Sequence, residues 1–171
     1  MEPSAHGPSR PDRPDTRQES RSNRAPSVSS VTRMGVKVSQ CFVAVDDHEK
    51  AIAFYRDVLG FEVLKDIAFE GLRWVTLGSA AQPDADIVLQ SLVVDPETSP
   101  ADQQALASLL AKGLLPGLVF RTDDCDAMFE RLREAGATVT QEPTDQPWGV
   151  RDCAVQDPAG NALRFAQPRS R

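Results

Sequence analysis

Hydrophobic and polar residues alternate from residue 37 onward, and this alternation predicts a first strand over Lys37–Val45. The next apolar positions recur at three- and four-residue spacing from Ala51 to Leu59, which predicts a helix, and Gly60 is placed to end it. Three further runs predict strands over Phe61–Leu64, Arg73–Leu77 and Asp86–Val94. The pattern therefore indicates a strand, a helix and three more strands.

The same order returns about 77 residues later. A strand is predicted over Leu118–Thr122, and the helix after it ends at Gly136. The apolar positions of this helix are Cys125, Met128, Leu132 and Ala135. Three more strands are predicted over Ala137–Gln141, Val150–Gln156 and Asn161–Ala166. The last two flank Asp157–Gly160, where proline at the second position and glycine at the fourth predict a hairpin turn.

A pair of aspartates precedes each predicted helix, at 46–47 and at 123–124. Aspartate is a favoured N-cap residue, and Glu49 is placed to complete a capping box on Asp46. The repeated caps and terminating glycines predict an α+β fold of two tandem βαβββ modules.

The boundaries of this domain follow from the repeat. Module one is predicted over residues 36–94, a linker over 95–116 and module two over 117–168. The linker contains a predicted helix, Pro100–Lys112, which covers a sheet edge or else acts as a lid or a dimer contact.

The first 35 residues are rich in Ser, Pro and Arg, and their apolar residues are isolated. Such a segment cannot bury enough surface to offset its ordering entropy, so a disordered tail is predicted over residues 1–35. It contains no apolar segment of the kind found in a secretory signal. Met34 lies directly before Gly35 and the first strand and is predicted to be an alternative start.

Composition and charge exclude several partners. The 171 residues are 40% apolar and 26% charged, and no run of 18 apolar residues predicts a membrane span. The net charge of −6 combines +2 over residues 1–33 with −8 over the remainder, and so acidic a domain repels the phosphates of nucleic acids. The three cysteines, at 41, 125 and 153, are far apart and odd in number, which is typical of buried thiols in the reducing cytoplasm.

Two segments carry a resemblance to a known superfamily. The first is Val45-x-Asp47 followed by Ala53–Phe61 (AFYRDVLGF), and the second is Asp157–Asn161 (DPAGN). Over roughly residues 36–167 the chain resembles the vicinal oxygen chelate superfamily, which includes glyoxalase I, bleomycin-resistance proteins and extradiol dioxygenases. The resemblance implies two modules whose mixed sheets curl into an open cup, with the helices outside and a ligand inside, but it names no reaction.

Enzymes of this superfamily hold one divalent metal with four cup-facing side chains, usually His, Glu or Gln. The resemblance places the counterparts in this chain at Gln40, Val88, Gly117 and Arg164. Valine and glycine supply no ligand atom, and a guanidinium at ~4 Å would repel a divalent cation by about 8 kcal/mol at an effective dielectric of roughly 20. No metal and no cofactor are therefore expected, which disfavours reactions that depend on a metal.

Strand alternation predicts the other side chains that face the cup. The predicted ligand-binding residues are Gln40, Phe42, Trp74, Thr76, Val88, Gln90, Val119, Arg121, Trp148, Arg151 and Arg164. Such a mixture of aromatic, aliphatic and a few polar side chains is typical of a small-molecule pocket. Arg164 favours an anionic or carbonyl-bearing ligand, or else pairs with a neighbouring carboxylate.

The segment Gln146–Asp152 (QPWGVRD) is the most distinctive local feature. It resembles the Pro-Trp-Gly segment before the penultimate strand of bleomycin-resistance proteins, where the aromatic residue helps to shape the drug groove. Alternatively, Trp148 packs under its turn. Arg151 and Asp152 point to opposite faces of the strand, and alternation does not decide which of them enters the cup.

Three functions remain open. The first is a metal-free protein, similar to bleomycin-resistance proteins, that binds and sequesters a small organic ligand. The second is a glyoxalase-, lyase-, isomerase- or dioxygenase-like enzyme that uses residues such as Arg164, Arg151, Gln40 or Gln90. The third is a non-catalytic module of a larger assembly. The resemblance also implies a homodimer, and where its members exchange modules, each cup takes one module from each chain.

Overall fold

The computed structural model describes residues 35–169. The predictions for the N-terminal tail, including the alternative start at Met34, concern residues outside this range. Among the described residues, no helix is long and apolar enough to cross a membrane.

The two modules contain the same elements in the same order. Module one comprises β1 (Gln40–Val45), α1 (His48–Ala53), a π-helical segment (Phe54–Val58), β2 (Glu62–Phe69), β3 (Leu72–Ser79) and β4 (Gln82–Ser91). The linking helix is α2 (Pro100–Ala111). Module two comprises β5 (Leu118–Arg121), α3 (Cys125–Glu134), β6 (Thr138–Asp145), β7 (Val150–Gln156) and β8 (Ala162–Pro168). The repeat read from the sequence is confirmed.

The strands form two mixed four-stranded sheets, β1–β4–β3–β2 and β5–β8–β7–β6. In each sheet the first strand runs parallel to the last, and the other neighbours are antiparallel. This arrangement confirms the predicted α+β class and its two βαβββ modules. Within residues 35–169 no strand pairing joins the two sheets, so β1 and β5 each lie at a sheet edge.

Aspartates begin both module helices, as predicted. Asp47 and Asp124 each accept a hydrogen bond from the backbone N–H three residues later, at 3.1 and 2.9 Å, and so satisfy a donor that the first helical turn leaves unpaired. The capping box predicted on Asp46 is wrong, because the cap is Asp47. Glu49 instead forms an ion pair with Arg73, at 2.7 Å.

The hydrophobic core lies on the helix-bearing faces of both sheets. α3 contributes three buried side chains, Cys125, Phe129 and Leu132. The predicted Ala135 is instead the exposed C-cap. Phe61 of module one packs against Phe120 of module two, which stacks on Phe165, with ring centroids 6.0 and 5.2 Å apart. Because the core occupies one face of each sheet, the opposite face is left open.

The predicted hairpin joins β7 to β8 through a turn closed by the Gly160 N–H, which donates to the Asp157 carbonyl at 3.0 Å. Gly160 has a φ of 102°, and a Cβ at this position would lie 2.3 Å from the carbonyl oxygen of Leu110 in α2. Glycine is therefore required both by the backbone conformation and by the close approach of the helix. Leu110 is buried there, so α2 is anchored to module two.

Candidate ligand-binding site

Six of the predicted ligand-binding residues lie together on the open face of the first sheet. Strand register places Phe42, Val88 and Thr76 in one row. Gln90 and Trp74 are opposed in the next row, and opposed residues share a face of the sheet. We call this surface face one; its members are Gln40, Phe42, Trp74, Thr76, Val88 and Gln90, together with Lys65, Ile67 and Phe69 of β2.

Face one is open to solvent, and five of its nine members are apolar. The side chains of Phe42, Ile67 and Phe69 are 57%, 53% and 63% exposed, whereas Val88 between the strands is buried. Large exposed apolar surfaces on a folded domain mark ligand or partner sites. Burying this surface would stabilise a complex by about 25 cal/mol for each Å² removed from water.

Arg164 lies in the middle of the open face of the second sheet. Its register partners are Val119 on β5 and Ala154 on β7. Arg121 follows Val119 by two positions and shares its face. We call this surface face two; its members are Val119, Arg121, Gln141, Asp152, Ala154 and Arg164. The predicted residues of module two thus lie on one surface, with Trp148 and Arg151 as exceptions.

A buried carboxylate holds Arg164 in place. Nη1 of Arg164 donates to Oδ2 of Asp152 at 2.8 Å and to Oε1 of Gln141 at 3.1 Å. The other carboxylate oxygen of Asp152 accepts from Nε2 of Gln141 at 2.7 Å and from Nε2 of Gln146 at 2.8 Å. The Asp152 side chain is 2% exposed and that of Arg164 is 38% exposed. The carboxylate of Asp152 is therefore enclosed, while the guanidinium of Arg164 reaches the open face.

Two opposing effects set the pKa of Asp152. Burial disfavours the charged carboxylate and would raise the pKa, but hydrogen bonds from Gln146, Arg164 and Gln141, together with the charge of Arg164, outweigh it. The pKa of Asp152 lies below its ordinary value, so the carboxylate is ionised at neutral pH. It neutralises the guanidinium of Arg164.

Arg151 does not join this group. It lies on the helix-bearing side of β7, where Nε and Nη2 donate to the two carboxylate oxygens of Asp126 on α3 at 2.8 and 2.7 Å. Nη1 donates to Asp145 at 3.1 Å, and these bonds raise the pKa of Arg151 above its ordinary value. The choice that alternation left open is thus settled: Asp152, not Arg151, shares the face of Arg164.

Trp148 lies in the turn between β6 and β7, and its side chain is 70% exposed. The Gln146 N–H donates to the Val150 carbonyl at 2.8 Å, and Gly149 has a φ of 91°. The side chain of Gln146 reaches Asp152, so this turn is tied to the charged group on face two. The exposure of Trp148 does not fit packing under the turn.

Sequence reasoning missed Gln141 and Gln146 and left Asp152 undecided. One signal was available for Asp152, because the short hairpin pairs Gln156 with Ala162 and therefore Ala154 with Arg164. Counting back by two places Asp152 on the same face. The two glutamines gave no signal, since the strand register shifts on both sides of Gln141.

The residues at the four positions of the superfamily metal site do not fit a divalent ion. Val88 and Gly117 carry no donor atom in their side chains. Arg164 is positively charged, and its Nη1 already donates to Asp152. Within residues 35–169 no three His, Cys, Asp or Glu side chains are grouped so that they could hold a metal ion.

A cavity of about 720 Å³ lies beside β5, between the two modules. Phe61, Phe120 and Phe165 are among its apolar lining residues. It includes Val119 and Arg121 of face two but neither Arg164 nor any residue of face one. The cavity is therefore next to the predicted site and not the same as it.

Two of the three thiols add no nucleophile to the site. Cys125 and Cys153 are completely buried, as predicted, and Cys41 is partly buried. Burial raises the pKa of Cys125, and it raises the pKa of Cys153 to about 12. Both therefore remain protonated at neutral pH, when a nucleophilic cysteine needs its thiolate.

Comparison with known proteins establishes the family. The chain matches the model of the Glyoxalase/Bleomycin resistance protein/Dioxygenase superfamily over residues 37–165. It is 30% identical over 132 residues to the uncharacterized protein YurT of Bacillus subtilis (strain 168), which covers 77% of this chain and 99% of YurT. The chain belongs to the Glyoxalase/Bleomycin resistance protein/Dioxygenase superfamily, as its two motifs indicated.

Two solved structures are similar in both sequence and fold. UcmS2 is 33% identical with a TM-score of 0.70, and the match covers 78% of this chain and 98% of UcmS2. TnmS3, an antibiotic binding protein from Streptomyces sp. CB03234, is 34% identical with a TM-score of 0.61 and coverage of 79% and 98%. The superfamily to which this chain belongs thus contains antibiotic-binding members.

Proposed function

We propose that this chain binds a small organic molecule between face one and face two and sequesters it without chemical change. The observation that carries the proposal is the pairing of an open apolar surface with a second open surface on which Arg164 is held by Asp152. Small-molecule pockets combine apolar walls with a few fixed polar groups in this way. The similarity to TnmS3 supports a ligand of antibiotic type.

We further propose that the protein is a homodimer in which each pocket takes face one from one protomer and face two from its partner. Both faces are open in the single chain, and no hydrogen bond joins their described side chains. A two-fold dimer would form two such pockets and cover face one and face two of each protomer. Its three unpaired cysteines suit the reducing cytoplasm, where we expect it to act.

The first experiment measures binding. The chain has two tryptophans, Trp74 on face one and Trp148 in the turn beside face two, so a ligand between the faces should change tryptophan fluorescence. Purified protein is titrated with a panel of aromatic antibiotics and metabolites. Saturable binding is expected, and Arg164→Gln should weaken it about tenfold, the usual effect of losing a hydrogen bond from a charged donor. Arg133→Gln, on the exposed side of α3, is the matched control.

Mass spectrometry of the recovered ligand then separates binding from catalysis. An unchanged mass and an unchanged chromatographic retention time after long incubation support sequestration, whereas a change in either, including an isomer of the same mass, supports the glyoxalase- or lyase-like enzyme instead. Binding that Arg164→Gln and Arg133→Gln affect equally would contradict the proposed site. A panel in which nothing binds would contradict the proposed function and favour a module of a larger assembly.

A further inference from the structure

Within residues 35–169, Arg164 uses one of its three guanidinium nitrogens as a hydrogen-bond donor. Nη1 donates to Asp152 and Gln141, whereas the N–H groups on Nε and Nη2 donate to no described residue. The side chain is 38% exposed on face two, between Val119 and Ala154. A molecule seated on face two therefore meets unpaired N–H donors whose position is fixed by a buried partner.

The nearby carboxylate decides which acceptor these donors favour. Asp152 is ionised, enclosed and 2.8 Å from Nη1, so the charge of Arg164 is already balanced. A ligand oxygen at ~3 Å from the remaining nitrogens lies roughly 5–6 Å from the carboxylate. Coulomb energy falls as the inverse of distance, so the carboxylate cancels about half of the attraction that a negatively charged ligand would feel.

A neutral carbonyl oxygen avoids this repulsion. It accepts hydrogen bonds from the same N–H groups, and it costs much less than a carboxylate to remove from water. Arg121 on face two and Lys65 on face one are the other cations of the two faces, but each is exposed on an edge strand, β5 or β2, where solvent and salt screen its charge. Arg164, whose guanidinium is fixed on face two, is therefore also the arginine whose charge is balanced, by Asp152.

We infer that the pocket selects neutral, planar aromatic compounds bearing a carbonyl oxygen and discriminates against carboxylates, with Arg164 donating the hydrogen bond and Asp152 excluding the anion. This inference rests on the proposed function and names the ligand class for the same site. Phe42 and Trp74 of face one supply flat apolar surface for such a ring.

The test uses three compounds with one ring system: 2-acetylnaphthalene, its carboxylate analogue 2-naphthoate, and 2-isopropenylnaphthalene, which has no acceptor. Affinities for the full chain are measured by titration calorimetry. The ketone should bind about tenfold more tightly than the alkene, because only the ketone accepts from Arg164. The carboxylate should bind no more tightly than the ketone.

Two variants assign the effect to its residues. Arg164→Gln should remove most of the difference between ketone and alkene. Asp152→Asn should raise the affinity for 2-naphthoate relative to the ketone by about tenfold, because the positive charge is no longer balanced. Arg133→Gln serves as the control for an arginine outside the site. Should Asp152→Asn not fold, the order of the three compounds on the natural chain, with Arg164→Gln, still decides the question.

Failure of the inference is distinguishable from failure of the proposed function. Tighter binding of 2-naphthoate than of the ketone, by a protein that binds compounds of the panel, overturns the inference and leaves the function standing. The same holds if none of the three compounds binds while another panel compound does. A preference for carboxylate that disappears in Arg121→Gln would assign selection to Arg121 and also overturn it. If nothing at all binds, both proposals fail.

Discussion

The Tyr55 hydroxyl donates a hydrogen bond to the buried carboxylate of Asp157, 3.1 Å away and 102 positions later in the chain. The same carboxylate accepts from the backbone N–H groups of Ala159 and Asn161. The Asn161 side chain donates both to Asp157 and to the Ala44 carbonyl of β1, each at 2.8 Å. The two sequence motifs thus meet in space, and together they fasten module one to the hairpin of module two.

Tyr55→Phe should destabilise the protein by about 1–2 kcal/mol, because it removes one hydrogen bond to a buried carboxylate that keeps its other donors. The ring contacts of Tyr55 with Phe54 and Phe61 remain. Urea unfolding measures the change. Thr140→Val, which removes an exposed hydroxyl from β6, should change the free energy of unfolding by less than about 0.5 kcal/mol. Equal effects of the two substitutions would contradict the role given to Tyr55.

Tyr55 should also make the fold sensitive to alkali. Burial, the negative charge of Asp157 and the hydrogen bond to it raise the pKa of Tyr55 well above its ordinary value. The unfolded chain therefore loses the phenolic proton first, near pH 10. Above that pH the free energy of unfolding should fall by about 1.4 kcal/mol per pH unit on account of this group, until the pKa of the folded state is reached.

This chain allows a direct measurement, because Tyr55 is its single tyrosine. Tyrosinate absorbance should appear near pH 10 in urea but only together with unfolding in the native protein. The pKa of Cys153 is also raised, to about 12, and acts in the same direction. Tyr55→Phe should therefore reduce the loss of stability between pH 10 and 12 without abolishing it. Reversible tyrosinate formation in the folded protein near pH 10 would refute the argument.

Arg164→Met should cost about 2 kcal/mol of stability, since it leaves Asp152 enclosed with only its two glutamine donors. Arg133→Met removes an exposed ion pair with Glu130 and should cost less than about 1 kcal/mol. The pKa of Asp152 is lowered in the folded protein. The ion pair therefore adds its full contribution to the free energy of unfolding above pH ~4, and this contribution is lost as the pH falls through the pKa of the folded state. Denaturant unfolding at neutral and acidic pH checks both points; similar losses for the two variants would disprove the first.

The sequence determines the repeat well because its signals are local. Alternation has a period of two, so one anchored position assigns a whole strand face. The register shows that the face-one residues share a face, and their role in binding stays a prediction. β7 was predicted with its observed bounds, Val150–Gln156. β2 was predicted over Phe61–Leu64 but extends to Phe69. Every residue of β2 is exposed, so the strand has no alternation of buried and exposed positions to reveal it.

The charged group on face two could not be predicted in the same way. Which polar side chains meet Arg164 depends on the shifted register around Gln141 and on the turn that brings Gln146 back to Asp152. These are long-range features of a twisted hairpin, and local periodicity carries no information on them. The same limit explains Arg151, whose partner Asp126 lies on a helix 25 positions earlier.

Co-expression of two inactive chains tests whether each pocket is shared between protomers. Phe42→Asp on face one and Val119→Asp on face two change exposed edge-strand positions, so both chains should fold and each alone should lose binding. Random pairing of the two chains makes half of the dimers heterodimers. If face one of one protomer meets face two of its partner, each heterodimer has one intact pocket and one pocket in which both faces are altered. About a quarter of all pockets should then bind ligand. If each pocket belonged to one chain, none would bind.

The matched control puts both substitutions into one chain and co-expresses it with the natural chain. Every heterodimer pocket then contains one altered face if pockets are shared, so only natural homodimers bind and about a quarter of pockets remain. Pockets built within a single chain would instead leave about half of them intact. Calorimetric stoichiometry of ligand binding, combined with light scattering for the dimer mass, distinguishes these outcomes. A monomeric mass would contradict the shared pocket directly, because face one and face two would then have no second copy to meet.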